Sequence, residues 1–218
     1  MADRFSLAWN SYSEAIKLCP NNIIYYRNRI MCSMMMGDYE AALKDGQMVI
    51  AIDNTSEDDY ICIIKCCLAM GNIDDTEAAI DGLIKIGSNN SICRRYAEKC
   101  ERFRDLLVKA TKFFQEQNFQ ATVQYMDSAL EIAPASSKCK LLKARCLIHL
   151  GHIDDANAIA ASCKKSKSVI VDTKHIAGLS ACSKGDLNVA LTYFHEATEL
   201  DLDQIKARIM ELKSAAKK

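Results

Sequence analysis

The side chains with the greatest capacity for chemistry are a cysteine cluster, Cys62, Cys66 and Cys67, and a histidine pair, His149 and His152. Cys62 and Cys66 are one helical turn apart and share a helix face, as two metal ligands would. Zinc requires four converging ligands, however, and no pair of cysteines at short loop spacing completes either set. Because a free cysteine packs as a small apolar residue, we interpret the cluster as core and predict neither a metal nor a cofactor.

Two acidic pairs, Asp74-Asp75 and Asp154-Asp155, raise the question of general acid and base catalysis. Each pair lies at the start of a predicted helix, where carboxylates interact favourably with the positive end of the helix. The sequence holds no nucleophile elbow, P-loop or dinucleotide fingerprint. We therefore predict that the chain has no catalytic residues and is not an enzyme.

Both acidic pairs belong to a pattern that recurs roughly every 34 residues, the period of tetratricopeptide repeats (TPR). Each copy has a glycine, one polar residue, an apolar residue and then a small residue three positions further on. The copies contain Gly37, Gly71, Gly151 and Gly185, and a fifth copy has Gln117 in place of the glycine. Glycine ends one helix where a left-handed residue is needed. Stacked hairpins of this kind predict an all-α TPR superhelix.

The period divides the chain into about six antiparallel helix hairpins. Residues 1–90 form a first sub-array, in which the first repeat lacks its first helix. Residues 91–202 form a second sub-array, joined to the first by a long helix that no glycine or proline interrupts from Ser91 to Gln117. Residues 203–218 are polar and lysine-rich, which predicts a C-terminal capping helix. We expect one elongated domain.

The composition excludes several classes of function. The 28 basic and 28 acidic residues give a net charge of zero, which offers no electrostatic support for nucleic-acid or membrane binding. No stretch approaches the roughly 20 apolar residues of a membrane span, and the first residues lack the apolar core of a signal peptide. The 11 cysteines have no disulfide-like spacing, so we predict a cytoplasmic location.

Two segments resemble a particular group of TPR proteins. Tyr25 to Leu43 resembles the YYxNR…MMxGxxxEAL segment of TPR co-chaperones, and Met126 to Gly151 is similar to the second array of the cytosolic J-protein co-chaperones with two TPR arrays. The resemblance implies an adaptor that binds Hsp70 and Hsp90 and passes clients between them. In that family a J-domain with a His-Pro-Asp motif follows the repeats. The present sequence has no such motif, so we expect no J-domain activity in it.

The carboxylate clamp of this family, a set of Lys, Asn and Arg side chains that grips an acidic C-terminal tail, is largely absent. Asn28 matches one clamp position, but Asp58 and Cys62 stand where Lys and Arg would be. In the second sub-array, Leu142 and Asp172 replace an Asn and a Lys. The resemblance therefore predicts that any chaperone binds through another surface or through an apolar peptide.

Positions on the first helix of each hairpin should face the groove of the stack. Methionines suit adaptable apolar partners, and basic side chains suit an acidic peptide. The peptide-binding candidates are Arg27, Asn28, Met31, Met34, Met35, Lys65, Lys138, Arg145 and His149. The competing interpretation is that the methionines pack between helices and that the basic residues are scattered in solvent.

The first helix carries four apolar residues at helical spacing, Phe5, Trp9, Tyr12 and Ile16. A partner helix would normally cover this face, and an exposed apolar patch predicts pairing. Either a homodimer buries it, or the chain is a shortened form of a longer protein. Three functions remain open: a co-chaperone-like adaptor for Hsp70 and Hsp90, a TPR scaffold for other partners, and a self-associating structural protein.

Overall fold

The computed structural model describes residues 2–88, 90–163 and 167–200, and these contain helices and turns but no β-strand. This architecture confirms the all-α fold of helix hairpins. The predicted capping helix at 203–218 lies outside the described residues. The helices are α1 (Ala2–Leu18), α2 (Ile23–Met35), α3 (Tyr39–Ile52), α4 (Glu57–Met70), α5 (Ile73–Lys85), α6 (Asn90–Gln115), α7 (Phe119–Ile132), α8 (Ser137–His149), α9 (Ile153–Ala161), α10 (Lys167–Lys184) and α11 (187–200).

The repeated glycines end the first helix of their hairpins, as the pattern predicts. Gly71 has a φ of 77°, and its N–H donates to the carbonyl of Leu68 at 3.0 Å. This left-handed conformation costs an L-residue free energy that glycine avoids. The glycines at 37, 151 and 185 have φ values of 74°, 85° and 85°. Gln117 takes the same conformation with a φ of 57°, so the turn of this hairpin accepts a side chain.

The chain forms two compact units. Unit 1 comprises residues 1–106 and 129–136, and unit 2 comprises residues 107–128 and those from 137 onward. In unit 1, α2 packs against α1 and α3, and its Tyr26 and Ile30 share a buried cluster with Ala42, Val49 and Cys66 of α4. Apolar burial of this kind, at about 25 cal/mol per Å², is the main term that stabilises such stacks.

In unit 2, small residues let the helices approach closely. Ala144 and Ala156 are fully buried where α8 meets α9, and Ile176 of α10 completes the same cluster. A Cβ placed on Gly178 would lie 2.5 Å from the ring of Phe194, so a larger residue at 178 would require this ring to shift. The unit is therefore built from short-range contacts between neighbouring helices.

Candidate peptide-binding surfaces

Arg27, a predicted groove residue, is engaged in an ion pair within unit 1. Its Nε and Nη2 donate to the carboxylate of Asp59 on α4, at 2.9 and 2.6 Å. The hydrogen bond that Arg27 donates to Asp59 raises the pKa of the Arg27 guanidinium above its ordinary value. Asp59 is 4% exposed, and removing its partner would leave a buried carboxylate unpaired. Arg27 is thus poorly placed to bind a partner's carboxylate, and sequence reasoning missed Asp59 because it gave that position no role.

The three methionines of α2 differ in their surroundings. Met34 packs against the core cluster of unit 1, whereas Met31 and Met35 are exposed by 55% and 60%. Lys65 on α4 is exposed as well. Of the three, Met31 and Met35 therefore offer flexible apolar side chains to a partner.

Asn28 lines a groove between α1 and α2. This surface, termed the α1/α2 groove, has a volume of about 440 Å³. It brings together two candidate sets that the sequence treats separately, because Phe5 and Tyr12 of the first helix lie beside Asn28 and Met31 of the second. The residues that line it are Arg4, Phe5, Ala8, Tyr12, Asn28, Met31 and Cys32.

Two of the four apolar residues predicted to form an exposed face on α1 are engaged within the fold. Ile16 is only 9% exposed and belongs to the core cluster of unit 1. Trp9 is half-buried, and its Nε1 donates to the hydroxyl of Ser33 on α2 at 2.9 Å. Ile16 and Trp9 therefore stabilise the fold, and of the four predicted residues Phe5 and Tyr12 remain without such a role in it.

In unit 2, one face of α8 presents a basic strip, termed the α8 strip and formed by Lys138, Arg145 and His149. The three side chains lie on one helical stripe and are all exposed. The Arg145 guanidinium lies 5.3 Å from the centre of the Phe114 ring, an attractive cation–π geometry. His149 stacks on Phe119 with ring centres 4.2 Å apart. Aromatic rings thus hold two of the three basic groups in place at the surface.

The cysteines at the shared repeat position serve packing, as the sequence predicts. Cys32, Cys66 and Cys146, which share one position in three repeats, are exposed by 6%, 1% and 0%. Burial raises the pKa of Cys66 to about 12 and that of Cys146 to about 11, so both thiols stay protonated and weakly nucleophilic at neutral pH.

Within the described ranges, no group of three or more His, Cys, Asp or Glu residues is arranged to hold a metal ion. Among the helices that the structure describes, none has both the length and the apolar character needed to cross a membrane.

Comparison with known proteins supports the repeat assignment. A family model described as tetratricopeptide repeat matches residues 113–164. The chain is 29% identical over 203 residues to mouse DnaJ homolog subfamily C member 7, an alignment that covers 93% of this chain and 41% of the relative. It is 23% identical over 206 residues to mouse DnaJ homolog subfamily C member 3, and this alignment also covers 93% of the chain and 41% of the relative. The chain thus spans about two fifths of the length of these relatives.

The fold also resembles that of a solved TPR domain. The TPR domain of P58(IPK) superposes with a TM-score of 0.63 at 18% identity, covering 98% of this chain and 65% of that domain. At this identity the likeness shows the fold alone. Taken with the helix hairpins, their left-handed turns and the family match over residues 113–164, it shows that the chain has the tetratricopeptide-repeat fold, and its sequence resembles the DnaJ homologues of subfamily C.

Proposed function

We propose that the chain is a protein-interaction adaptor that associates with Hsp70 or Hsp90 in the cytoplasm. The observation that carries this proposal is the similarity to DnaJ homolog subfamily C member 7, which extends over 93% of the chain. The resemblance to J-protein co-chaperones implies these two partners. The cytoplasmic location is supported by the 11 cysteines, all of which are free.

The α8 strip is the surface that best fits a chaperone segment. Arg145 makes no ion pair within the described residues, so its guanidinium is available to a carboxylate of a partner. Charge-assisted hydrogen bonds of this kind are about twice as strong as neutral ones. Leu142, half-buried between the basic residues, adds apolar area. The strip therefore suits an acidic segment that also carries apolar side chains.

The engagement of Arg27 with Asp59 favours the alternative function, a TPR scaffold for partners other than chaperones. With Arg27 paired internally, the first unit offers Asn28 and Lys65 as polar contacts for a carboxylate. This is a weak clamp compared with the full set of Lys, Asn and Arg side chains that the family resemblance implies. We therefore expect any chaperone to bind without requiring its acidic C-terminal tail.

Titration calorimetry tests the proposal with the purified chain, full-length Hsp70 and Hsp90, and both chaperones without their acidic tails. We expect tail-independent binding that weakens at least about tenfold in the Arg145→Ala/His149→Ala double variant, the loss of two contacts worth about 1.4 kcal/mol together. Arg102→Ala removes another exposed arginine, on α6, and should leave the affinity unchanged. Tail-dependent binding would contradict the expectation that the acidic C-terminal tail is dispensable. An absence of binding to either chaperone would favour the scaffold.

A further inference from the structure

Two leucines on α11 are exposed at positions that are covered elsewhere in unit 2. α11 follows α7 by two repeat periods, about 68 residues, and begins and ends at the equivalent residues. On α7, Val123 is 9% exposed and Phe119 packs against the core cluster that contains Val123. Their counterparts on α11, Leu191 and Leu187, are 66% and 65% exposed. Adjacent exposed leucines of this kind mark an interaction surface.

The cover on α7 is the helix that follows it in the chain, α8. Leu141 and Ala144 of α8 are buried in the cluster against which Phe119 packs. The two helices are antiparallel, since Phe119, the first residue of α7, stacks on His149, the last residue of α8, with ring centres 4.2 Å apart. An equivalent helix after α11 falls on residues 205–217, which lie outside the described part of the chain.

The sequence of residues 205–217, termed the 205–217 segment, repeats the amphipathic pattern of α8. The five positions at which α8 contributes to the buried cluster hold apolar or small residues in the segment: Ile209, Leu212, Ser214, Ala215 and Ala216. The three exposed positions of the α8 strip hold lysines in the segment: Lys206, Lys213 and Lys217. The apolar side of the segment therefore coincides with the side of α8 that is buried.

A polar contact between α7 and α8 recurs with the charges exchanged. Lys143 of α8 forms an ion pair with Asp127 of α7. At the equivalent positions, α11 carries His195 and the segment carries Glu211. His195 is exposed, and its Nδ1 lies 3.6 Å from the carboxylate of Glu199 on the same helix. Glu211 would give this imidazole an acceptor on a neighbouring helix, as Asp127 does for Lys143.

We propose that the 205–217 segment forms a helix that packs antiparallel to α11 and covers Leu187 and Leu191, as α8 covers α7. The connection from α11, residues 201–204, has the same length as that between α7 and α8. A segment tethered this closely has a high effective concentration at α11, which favours it over a partner from solution. The segment and the α8 strip share no residue, and this inference stands independently of the proposed association with chaperones.

Hydrogen exchange with mass spectrometry on the full chain, under reducing conditions, tests the docking with two matched variants. Leu212→Gln places a polar group at the position of Ala144, which is fully buried. We expect it to speed amide exchange at least about tenfold in both 187–200 and 205–217. Lys213→Gln introduces the same side chain at the exposed position of Arg145 and should change these rates less than about twofold.

The exchanged ion pair provides a test with a rescue. Glu211→Lys places a cation opposite His195 and should speed exchange in 205–217 at least about threefold, in keeping with an exposed pair. Adding His195→Asp recreates the arrangement of Asp127 and Lys143, and the rate should return to within about twofold of the unmodified chain. A double variant that exchanges as fast as Glu211→Lys alone would overturn the proposed register.

Three further results would overturn the proposal. One is exchange in 205–217 that is as fast as in a synthetic peptide of these residues. Another is an equal effect of Leu212→Gln and Lys213→Gln. The third comes from size-exclusion chromatography with light scattering. A dimer that Leu191→Asp converts to a monomer would show that a second copy of the chain covers α11.

Discussion

At the scale of single residues, two glycines share a backbone conformation and differ in their neighbours. Gly71 and Gly151 have φ values of 77° and 85°. A Cβ on Gly71 would lie 2.9 Å from the Ser136 hydroxyl and 3.1 Å from the ring of Phe103, whereas a Cβ on Gly151 would meet nothing within 4 Å. The two positions therefore separate the conformational role of glycine from its role in close packing.

We expect Gly151→Ala to lower the free energy of unfolding by about 1 kcal/mol, since only the left-handed conformation is strained. Gly71→Ala should lower it by at least about 2 kcal/mol, because steric overlap with Ser136 and Phe103 adds to that strain. Urea denaturation followed by circular dichroism measures both values. Equal losses in the two variants would contradict the close contact around Gly71.

At the scale of the helices, two arginines of α2, Arg27 and Arg29, connect it to neighbouring helices. Arg29 donates to Asp45 on α3 at 2.6 and 2.8 Å and to the hydroxyl of Ser13 on α1 at 3.0 Å. Its guanidinium also lies 5.2 Å from the centre of the Trp9 ring. The hydrogen bonds that Arg29 donates to Asp45 raise the pKa of its guanidinium, so this partly buried group stays charged. One side chain thereby links three helices.

Removing the carboxylate from this network should be costly. The Arg29 and Asp45 side chains are exposed by 17% and 7%, so Asp45→Ala leaves a largely buried cation without its counter-ion. We expect a loss of about 3 kcal/mol in the free energy of unfolding, measured by urea denaturation. Glu14→Ala is the control. The side chains of Glu14 and its partner Lys17 are each 70% exposed, so this ion pair should contribute less than about 0.5 kcal/mol to the free energy of unfolding. A loss below about 1 kcal/mol for Asp45→Ala would show that Arg29 finds other partners or water.

At the scale of the whole molecule, repeat proteins are stabilised mainly by contacts between adjacent repeats. A local defect should therefore reduce protection mostly within its own unit. Hydrogen exchange with mass spectrometry tests this expectation. We expect Asp45→Ala to speed amide exchange in α1 to α3 and to leave α8 to α10 nearly unchanged. Asn157→Ala, which removes a 2.9 Å hydrogen bond to Ser180, should show the opposite pattern. Uniform loss of protection in either variant would indicate a single cooperative unit.

The amino-acid sequence by itself determined the helix hairpins and their turns. Gly71 and Gln117 take left-handed turns at the positions that the repeat pattern marks, because the conformation of a turn depends on a few adjacent residues. The buried role of Cys66 and Cys146 was also predictable, since the repeat places a small apolar residue at their position. The division into sub-arrays at residue 90 and the self-association through α1 stay predictions.

Only the tertiary structure decided which of the candidate residues are available to a partner. Arg27 is paired with Asp59 and Ile16 is buried, because both depend on side chains that lie on other helices and far away in the sequence. The same packing places Phe5 beside Asn28 in one groove. A repeat pattern specifies which face of each helix is apolar, but the partner that each side chain meets is set by how the helices pack against one another.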